Sequence, residues 1–143
     1  MIIREFQAED MPVVMDVWLR SNMSAHSFIP EAYWRRNQKT VEEVYMPVAK
    51  TYVTEQDGRV MGFISIIEGN YIGALFVDPH EQGKGLGKAL LQYCQERYAR
   101  LELGVYADNE RAVQFYKHCG FTIKSEQPNE DSGHMEYTMY WEA

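Results

Sequence analysis

The seven residues Gln82-Gly83-Lys84-Gly85-Leu86-Gly87-Lys88 constrain this chain more than any other stretch. They follow an apolar run, Ala74-Leu75-Phe76-Val77, closed by Asp78-Pro79, and they precede a long amphipathic segment. Strand, glycine-rich turn and helix start, in that order, build a cradle for an anion. Glycine admits positive φ and leaves no Cβ in a ligand's path. Successive backbone N–H groups then converge on one site, with the positive end of a helix dipole behind them. The stretch predicts a phosphate-bearing ligand.

Spacing separates the phosphate motifs. A P-loop needs glycine, four residues, then Gly-Lys-Ser/Thr. Counting back from Gly87-Lys88 puts Gln82 where the first glycine belongs and Ala89 where the hydroxyl belongs. The dinucleotide fingerprint needs glycines at its first, third and sixth positions. Starting from Gly83, the sixth is Lys88. What remains is Gln82-x-x-Gly85-x-Gly87. This pattern resembles the acetyl-CoA pyrophosphate loop of the GNAT superfamily of N-acetyltransferases; the competing reading is a glycine-rich turn that holds nothing.

A second stretch strengthens the resemblance. Asn109-Glu110-Arg111-Ala112-Val113-Gln114-Phe115-Tyr116-Lys117-His118-Cys119-Gly120-Phe121 is similar to the GNAT element with Asn, then Ala, then Phe-Tyr, then Gly-Phe. Two motifs in the family's order, separated by one strand, are far more specific than the glycine loop alone.

The rest of the chain reads in harmony with them. Met1 to Phe6 is β-prone. Asp10 is placed to cap a helix with Pro12 in its first turn. Ser21 to Phe28 reads as a polar loop, and Pro30 opens a second helical segment through about Tyr45. Gln56-Asp57-Gly58 marks a hairpin between Lys50–Glu55 and Arg59–Ile67. Asn70 to Val77 extends the sheet. Leu86, Ala89, Leu90, Tyr93, Cys94 and Arg97 recur at helical spacing. Leu101 to Tyr106 is a strand, Asp108-Asn109 introduces a helix to about His118, and Gly120 ends it. Phe121 to Ser125 and His134 to Trp141 are strands around an exposed loop, Glu126 to Gly133. The order β-α-α-β-β-β-α-β-α-β-β implies a mixed α/β sheet. It resembles a single GNAT domain over residues 1–143, with a mostly antiparallel sheet, splayed central strands and flanking helices.

Composition limits the function classes. The 143 residues fit one domain with a substantial core, and 10 Tyr, 6 Phe and 3 Trp argue against disorder. With 14 Lys+Arg against 21 Asp+Glu the net charge is −7, which disfavours nucleic acid and suits a cationic or amine partner. Cys94 and Cys119 lie in no metal-ligand spacing, and Cys94 falls on an apolar helical stripe. No apolar run approaches the roughly 18 residues of a membrane span, and no basic-then-apolar leader is present. A soluble, cytoplasmic protein without a metal is expected.

The resemblance implies residue roles. The strand before the loop splays from the next one, and the gap receives the pantetheine arm of acetyl-CoA like an added strand. Leu75, Phe76 and Val77 would supply backbone groups to it, with an N–H at Phe76–Val77 for the developing oxyanion. Gln82, Gly83, Lys84, Gly85, Gly87 and Lys88 would hold the pyrophosphate. Asn109 would contact the CoA arm. Tyr116 would protonate the departing sulfur, since a phenol near pKa 10 can supply a thiolate whose acid is near 8.5. Tyr116 also shares a helical stripe with Ala112 and Cys119, a placement that suits a core aromatic.

An amine nucleophile must also lose a proton, because a lysine ammonium has a pKa near 10.4. Acetyltransferases acting on the amino termini of ribosomal proteins carry Leu-Glu-Val before the second motif, with that glutamate as base. This chain reads Leu103-Gly104-Val105. Glu68 is the expected substitute base, with a solvated turn carboxylate as its alternative; Glu102, His26 and His80 are further candidates. The segment between the first two helices forms an acceptor wall in the family, which implicates His26, Phe28, Tyr33 and Trp34. The partners implied are acyl-CoA and an amine acceptor, in a monomer or homodimer. A GNAT fold that senses acyl-CoA without turnover is the competing function.

Overall fold

The computed structural model describes residues Met1–Ala143. Seven strands form one sheet in the order β1-β2-β3-β4-β5-β7-β6. They are β1 (Ile2–Glu5), β2 (Lys50–Gln56), β3 (Arg59–Ile67), β4 (Tyr71–Val77), β5 (Arg100–Tyr106), β6 (Thr122–Pro128) and β7 (Met135–Glu142). Four helices cover it: α1 (Met11–Ala25), α2 (Glu31–Thr40), α3 (Leu86–Gln95) and α4 (Glu110–His118). The element order is the one expected, and all pairings are antiparallel except β4 with β5. No helix is long and apolar enough to cross a membrane.

Two apolar cores explain the sandwich. Leu90, Leu91 and Cys94 of α3 pack with Ile64, Leu103 and Met139 on one face of the sheet. Val14, Val17 and Trp18 of α1 pack with Trp34 and Phe63 on the other. Each fully buried leucine contributes roughly 2 kcal/mol by leaving water. Cys94 is one of these inward residues, and burial pushes its thiol up to about 12, so it acts as a small hydrophobe.

The centre of the sheet comes apart. β4 and β5 pair only at Tyr71↔Glu102 and Ile72↔Leu103. The β3–β4 register shifts between Ser65↔Ala74 and Ile66↔Ile72, which leaves Gly73 as an extra residue on β4. Such a bulge bends its strand. Beyond it β4 stays on β3 while β5 stays on β7, and the two diverge.

Four local expectations are revised. Ser21 to Ala25 belongs to α1 rather than to a loop. Two of its polar residues are buried: Ser21 Oγ donates to the Val77 carbonyl at 3.1 Å, and Asn22 Nδ2 donates to the Trp18 carbonyl at 2.9 Å. Asp10 precedes α1 but does not cap it with its side chain. Its carboxylate instead accepts from the Gln7 N–H at 2.8 Å and from the Arg4 guanidinium at 2.8 and 3.0 Å. The regular part of α2 stops at Thr40, and a wider turn (Val41–Tyr45) and a tight one (Met46–Val48) carry the chain to β2. Finally, β6 continues through Pro128, so three residues expected in the loop are strand.

The start of the glycine loop is tied to α1. Arg20 grips Asp78 with two hydrogen bonds, at 3.1 and 2.7 Å, and Asp78 Oδ1 also accepts from the His80 N–H at 2.9 Å. The Arg20 bonds, more than any other cause, hold the Asp78 carboxyl down to about 2. An unfolded aspartate titrates near 3.9, so the stabilisation is complete above that value and is lost as pH falls towards 2. Asp78→Asn should therefore cost about 2 kcal/mol at pH 7 in urea unfolding, with the difference from the parent protein constant from pH 8 to 5 and shrinking below pH 4.

Candidate functional site

A cavity of about 830 Å³ occupies the splay, walled by residues from both faces of the sheet. One end is the glycine loop, the middle is Gly73–Val77 facing Leu103–Tyr106, and Asn129 and Glu136 line it beyond β5.

The loop end is shaped by two glycines. Gly83 and Gly85 have φ of 85° and 79°, the left-handed region, and no atom lies within 4 Å of where a Cβ would stand on either. Gly85 is the N-cap of α3, so the first amides of that helix face the loop. Gln82, Gly83, Gly85, Gly87 and Lys88 line the cavity. Gln82 Nε2 donates to the Val77 carbonyl at 3.3 Å. Lys84 does not line the cavity; it pairs with Glu81. Arg111, in the first turn of α4, does line it, and neither Arg111 nor Lys88 has an acidic partner. Sequence reasoning missed Arg111, although it stands two residues after Asn109 in the second motif.

Strand alternation decides which backbone groups face the gap. The Asp78 N–H donates to the Met61 carbonyl at 2.7 Å, which makes Asp78 and Met61 a hydrogen-bonded pair. With Val77↔Gly62, Phe76↔Phe63 and Leu75↔Ile64 in register, alternation turns Leu75 and Val77 towards β5 and Phe76 towards β3. The expected contribution of Phe76 backbone groups is thereby revised: they belong to the β3 ladder. The Val77 carbonyl is already taken by Ser21 and Gln82, so the Leu75 N–H and C=O and the Val77 N–H face the cavity. Across the gap, the Ala107 N–H donates to Met135 at 2.9 Å, which by the same alternation turns Gly104 and Tyr106 inward.

Tyr116 is held by the end of its helix. The Phe121 N–H donates to the Tyr116 carbonyl at 3.0 Å, and the Gly120 N–H donates to that of Lys117 at 3.1 Å. This is a Schellman closure, with Gly120 at φ 95° and the Tyr116 and Phe121 rings 5.6 Å apart. The Gly-Phe pair of the motif thus fixes the tyrosine's backbone and packs its ring. Tyr116 is buried, lines the cavity, and its hydroxyl has no hydrogen-bond partner in the protein. Burial pushes its pKa above the ordinary phenol value, so it is a protonated donor at neutral pH.

The expected acceptor wall divides. His26 and Trp34 line the cavity, whereas Phe28 and Tyr33 stand behind them. His26 stacks on Trp34 with centroids 5.2 Å apart and meets Phe28 edge-on at 5.7 Å. The Tyr33 hydroxyl donates to Asp131 Oδ2 at 2.7 Å and ties α2 to the β6–β7 loop. Asn109 accepts from the Ala112 N–H through Oδ1, at 3.2 Å, so its Nδ2 donates to His26 Nε2 at 3.1 Å. His26 must then carry its proton on Nδ1, which is buried without a partner. Burial pushes His26 down to about 4. It is neutral, and it clamps the end of α1 to the start of α4.

The expected base lies elsewhere. Glu68 is exposed in the β3–β4 turn with φ 51°, just before Tyr71 at the closed end of the splay, and it does not line the cavity. Glu102 is also at the closed end and pairs with Lys124 at 3.6 Å. His80 is exposed beside the loop. Two carboxylates do line the cavity: Glu81 at the loop end, paired with Lys84, and Glu136 on β7, which sequence reasoning passed over. A Cβ at Gly104 would stand 3.5 Å from Glu136 Oε2 and 2.9 Å from the Tyr71 hydroxyl, so these two side chains fill the space above Gly104. Only the register Tyr106↔Glu136, a pairing across 30 residues, reveals it.

Comparison with known proteins agrees with this geometry. A family model described as acetyltransferase (GNAT) domain matches residues 22–143. The chain is 42% identical over 122 residues to the peptidyl-lysine N-acetyltransferase YiaC of Escherichia coli K12, an alignment covering 85% of this chain and 84% of YiaC. The solution structure of apo YjaB from Escherichia coli matches with a TM-score of 0.84 at 26% identity, covering 98% and 97% of the two chains. A PaiA N-acetyltransferase from Thermoplasma acidophilum, solved in complex with coenzyme A, matches in fold with a TM-score of 0.82 at 19% identity, covering 99% and 98%.

Gly85→Asp tests the loop. An L-residue in the left-handed region costs about 1–2 kcal/mol, and a carboxylate facing a diphosphate adds repulsion. Coenzyme A affinity by calorimetry should fall roughly 100-fold, equivalent to about 2.7 kcal/mol; unchanged affinity would place the diphosphate elsewhere.

Proposed function

The chain belongs to the GNAT family of acetyl-CoA-dependent N-acetyltransferases, and from that premise we propose that its acceptor is the ε-amine of a lysine in a peptide or protein. The observation that carries the reading is the single cavity joining the glycine loop to Glu136, with the unpartnered Tyr116 phenol in its wall. The 42% identical relative is named for peptidyl-lysine acetylation. Aromatic rings of Trp34 and Tyr106 and the carboxylate of Glu136 suit a methylene chain ending in an ammonium. The net charge of −7 favours a cationic acceptor.

In this reading the diphosphate of acetyl-CoA rests on Gln82, Gly83, Gly85, Gly87 and the α3 amides, with Lys88 and Arg111 supplying positive charge. The pantetheine arm pairs with the Leu75 backbone groups, and Asn109 borders its path. The Val77 N–H is the free donor for the oxyanion. The amine nitrogen attacks the acetyl carbon, the C–S bond breaks, and the Tyr116 phenol gives its proton to the leaving sulfur. The proton shed by the new amide nitrogen restores the phenol. No acyl-enzyme forms.

Two measurements test this. Purified protein with acetyl-CoA should acetylate lysine-containing peptides, read by mass spectrometry, in preference to spermidine and to peptides whose only amine is the amino terminus. A chain that binds acetyl-CoA and transfers to no amine would sink the reading. Tyr116→Phe should lower kcat by about 100-fold and leave coenzyme A affinity within a factor of about two; full activity would remove Tyr116 from the acid role.

A further inference from the structure

We propose that Glu136 is the group that takes the proton from the incoming ammonium, with Asn129 positioning it. The inference deepens the transfer reaction at the same site and rests on that reading. Three titratable side chains that accept protons line the cavity: His26, Glu81 and Glu136. His26 is committed to Asn109 through Nε2 and stacked on Trp34. Glu81 lies at the loop end, paired with Lys84. Glu136 remains, on the far side of β5, with Asn129 Nδ2 donating to its Oε2 at 3.2 Å. No lysine or arginine pairs with it, and its other oxygen has no protein partner.

Its position suits the chemistry. Antiparallel partners point to the same face, and the neighbour Tyr137 packs into the α3–α4 core while Tyr106, opposite Glu136, packs with the α1–α2 side. Glu136 therefore approaches the splay from the face opposite Tyr116. An acid for the sulfur and a base for the nitrogen must flank the same carbonyl carbon from different sides, and the divergence of β4 and β5 allows that. The groups facing Glu136 are Tyr71 from β4, Tyr106 from β5, Gln127 from β6 (its amide donated to Thr138) and Asn129 from the loop, with His134 beside Tyr106. None is a fixed cation that would hold the carboxylate in an ion pair.

The step balances. One ammonium proton passes to a Glu136 oxygen and then to solvent, and the freed lone pair attacks the acetyl carbon. The nitrogen's second proton makes good the one that Tyr116 gives to sulfur. Net, an ammonium and a thioester become an amide, a thiol and one released proton.

The test is Glu136→Gln, which keeps shape and removes basicity. It is assayed by pre-steady-state turnover from pH 6 to 10 with the best amine of the wild-type protein, beside coenzyme A calorimetry. The expected result is a fall in kcat of about 100-fold or more at pH 7, unchanged coenzyme A affinity, and a deficit that narrows as pH approaches the acceptor's own pKa near 10.4. An acceptor amine of lower pKa should narrow it likewise. Wild-type kcat with an unaltered pH profile would overturn the proposal, as would an equal deficit at every pH. If the wild-type protein prefers a polyamine to lysine peptides, the acceptor reading fails, and the same variant on that amine still decides the role of Glu136. Transfer to no amine at all would sink both.

Discussion

The parting of β4 from β5 is the constraint on which the rest depends. Two strands that share only two paired positions leave inward backbone groups without partners in the middle of a sheet. Unpaired buried amides and carbonyls are costly, and the fold answers in three ways. Ser21 and Gln82 satisfy the Val77 carbonyl, Asn109 satisfies the Tyr106 carbonyl at 3.0 Å, and a cavity leaves the others accessible. A polar helix end beside the gap is thus a structural requirement as much as a wall of the site.

The helices then hold the gap at a set width. Arg20 and Asp78 fasten α1 to the end of β4, and His26 and Asn109 fasten α1 to α4. Gly120 and Phe121 close α4 so that Tyr116 faces the opening. Asn109 illustrates the economy of the second motif: one side chain caps a helix and fixes the tautomer of a neighbouring histidine. The interactions that stabilise the fold and those that shape the site are in this region the same interactions.

What the sequence disclosed follows from distance along the chain. The glycine loop, Gly85 at a helix start, the Asp57-Gly58 turn and the Asn109-to-Phe121 element are local, and a local pattern carries its own geometry. The parting of the central strands came from family resemblance, since nothing in Gly73 alone announces a bulge. Ser21 to Ala25 looks like a loop in sequence because its polar residues suggest water, whereas Ser21 meets the edge of β4 and Asn22 bonds back onto its own helix. Glu68 looked suitable because it stands next to β4, but the direction of that strand sends it to the closed end. Glu136 was invisible for the converse reason: it reaches Gly104 through the pairing of β5 with β7. Absence of a side chain at Gly104 is a local fact; what fills the space is a tertiary one.

The space above Gly104 carries one more consequence. Tyr71 and Glu136 lean into room that a larger residue on β5 would claim for itself. A carboxylate borne on β5 at this position and the one borne on β7 would reach for the same volume. Even a methyl group at residue 104 would press on the Tyr71 hydroxyl and touch the Glu136 carboxylate, so anything larger on β5 competes with both for that room.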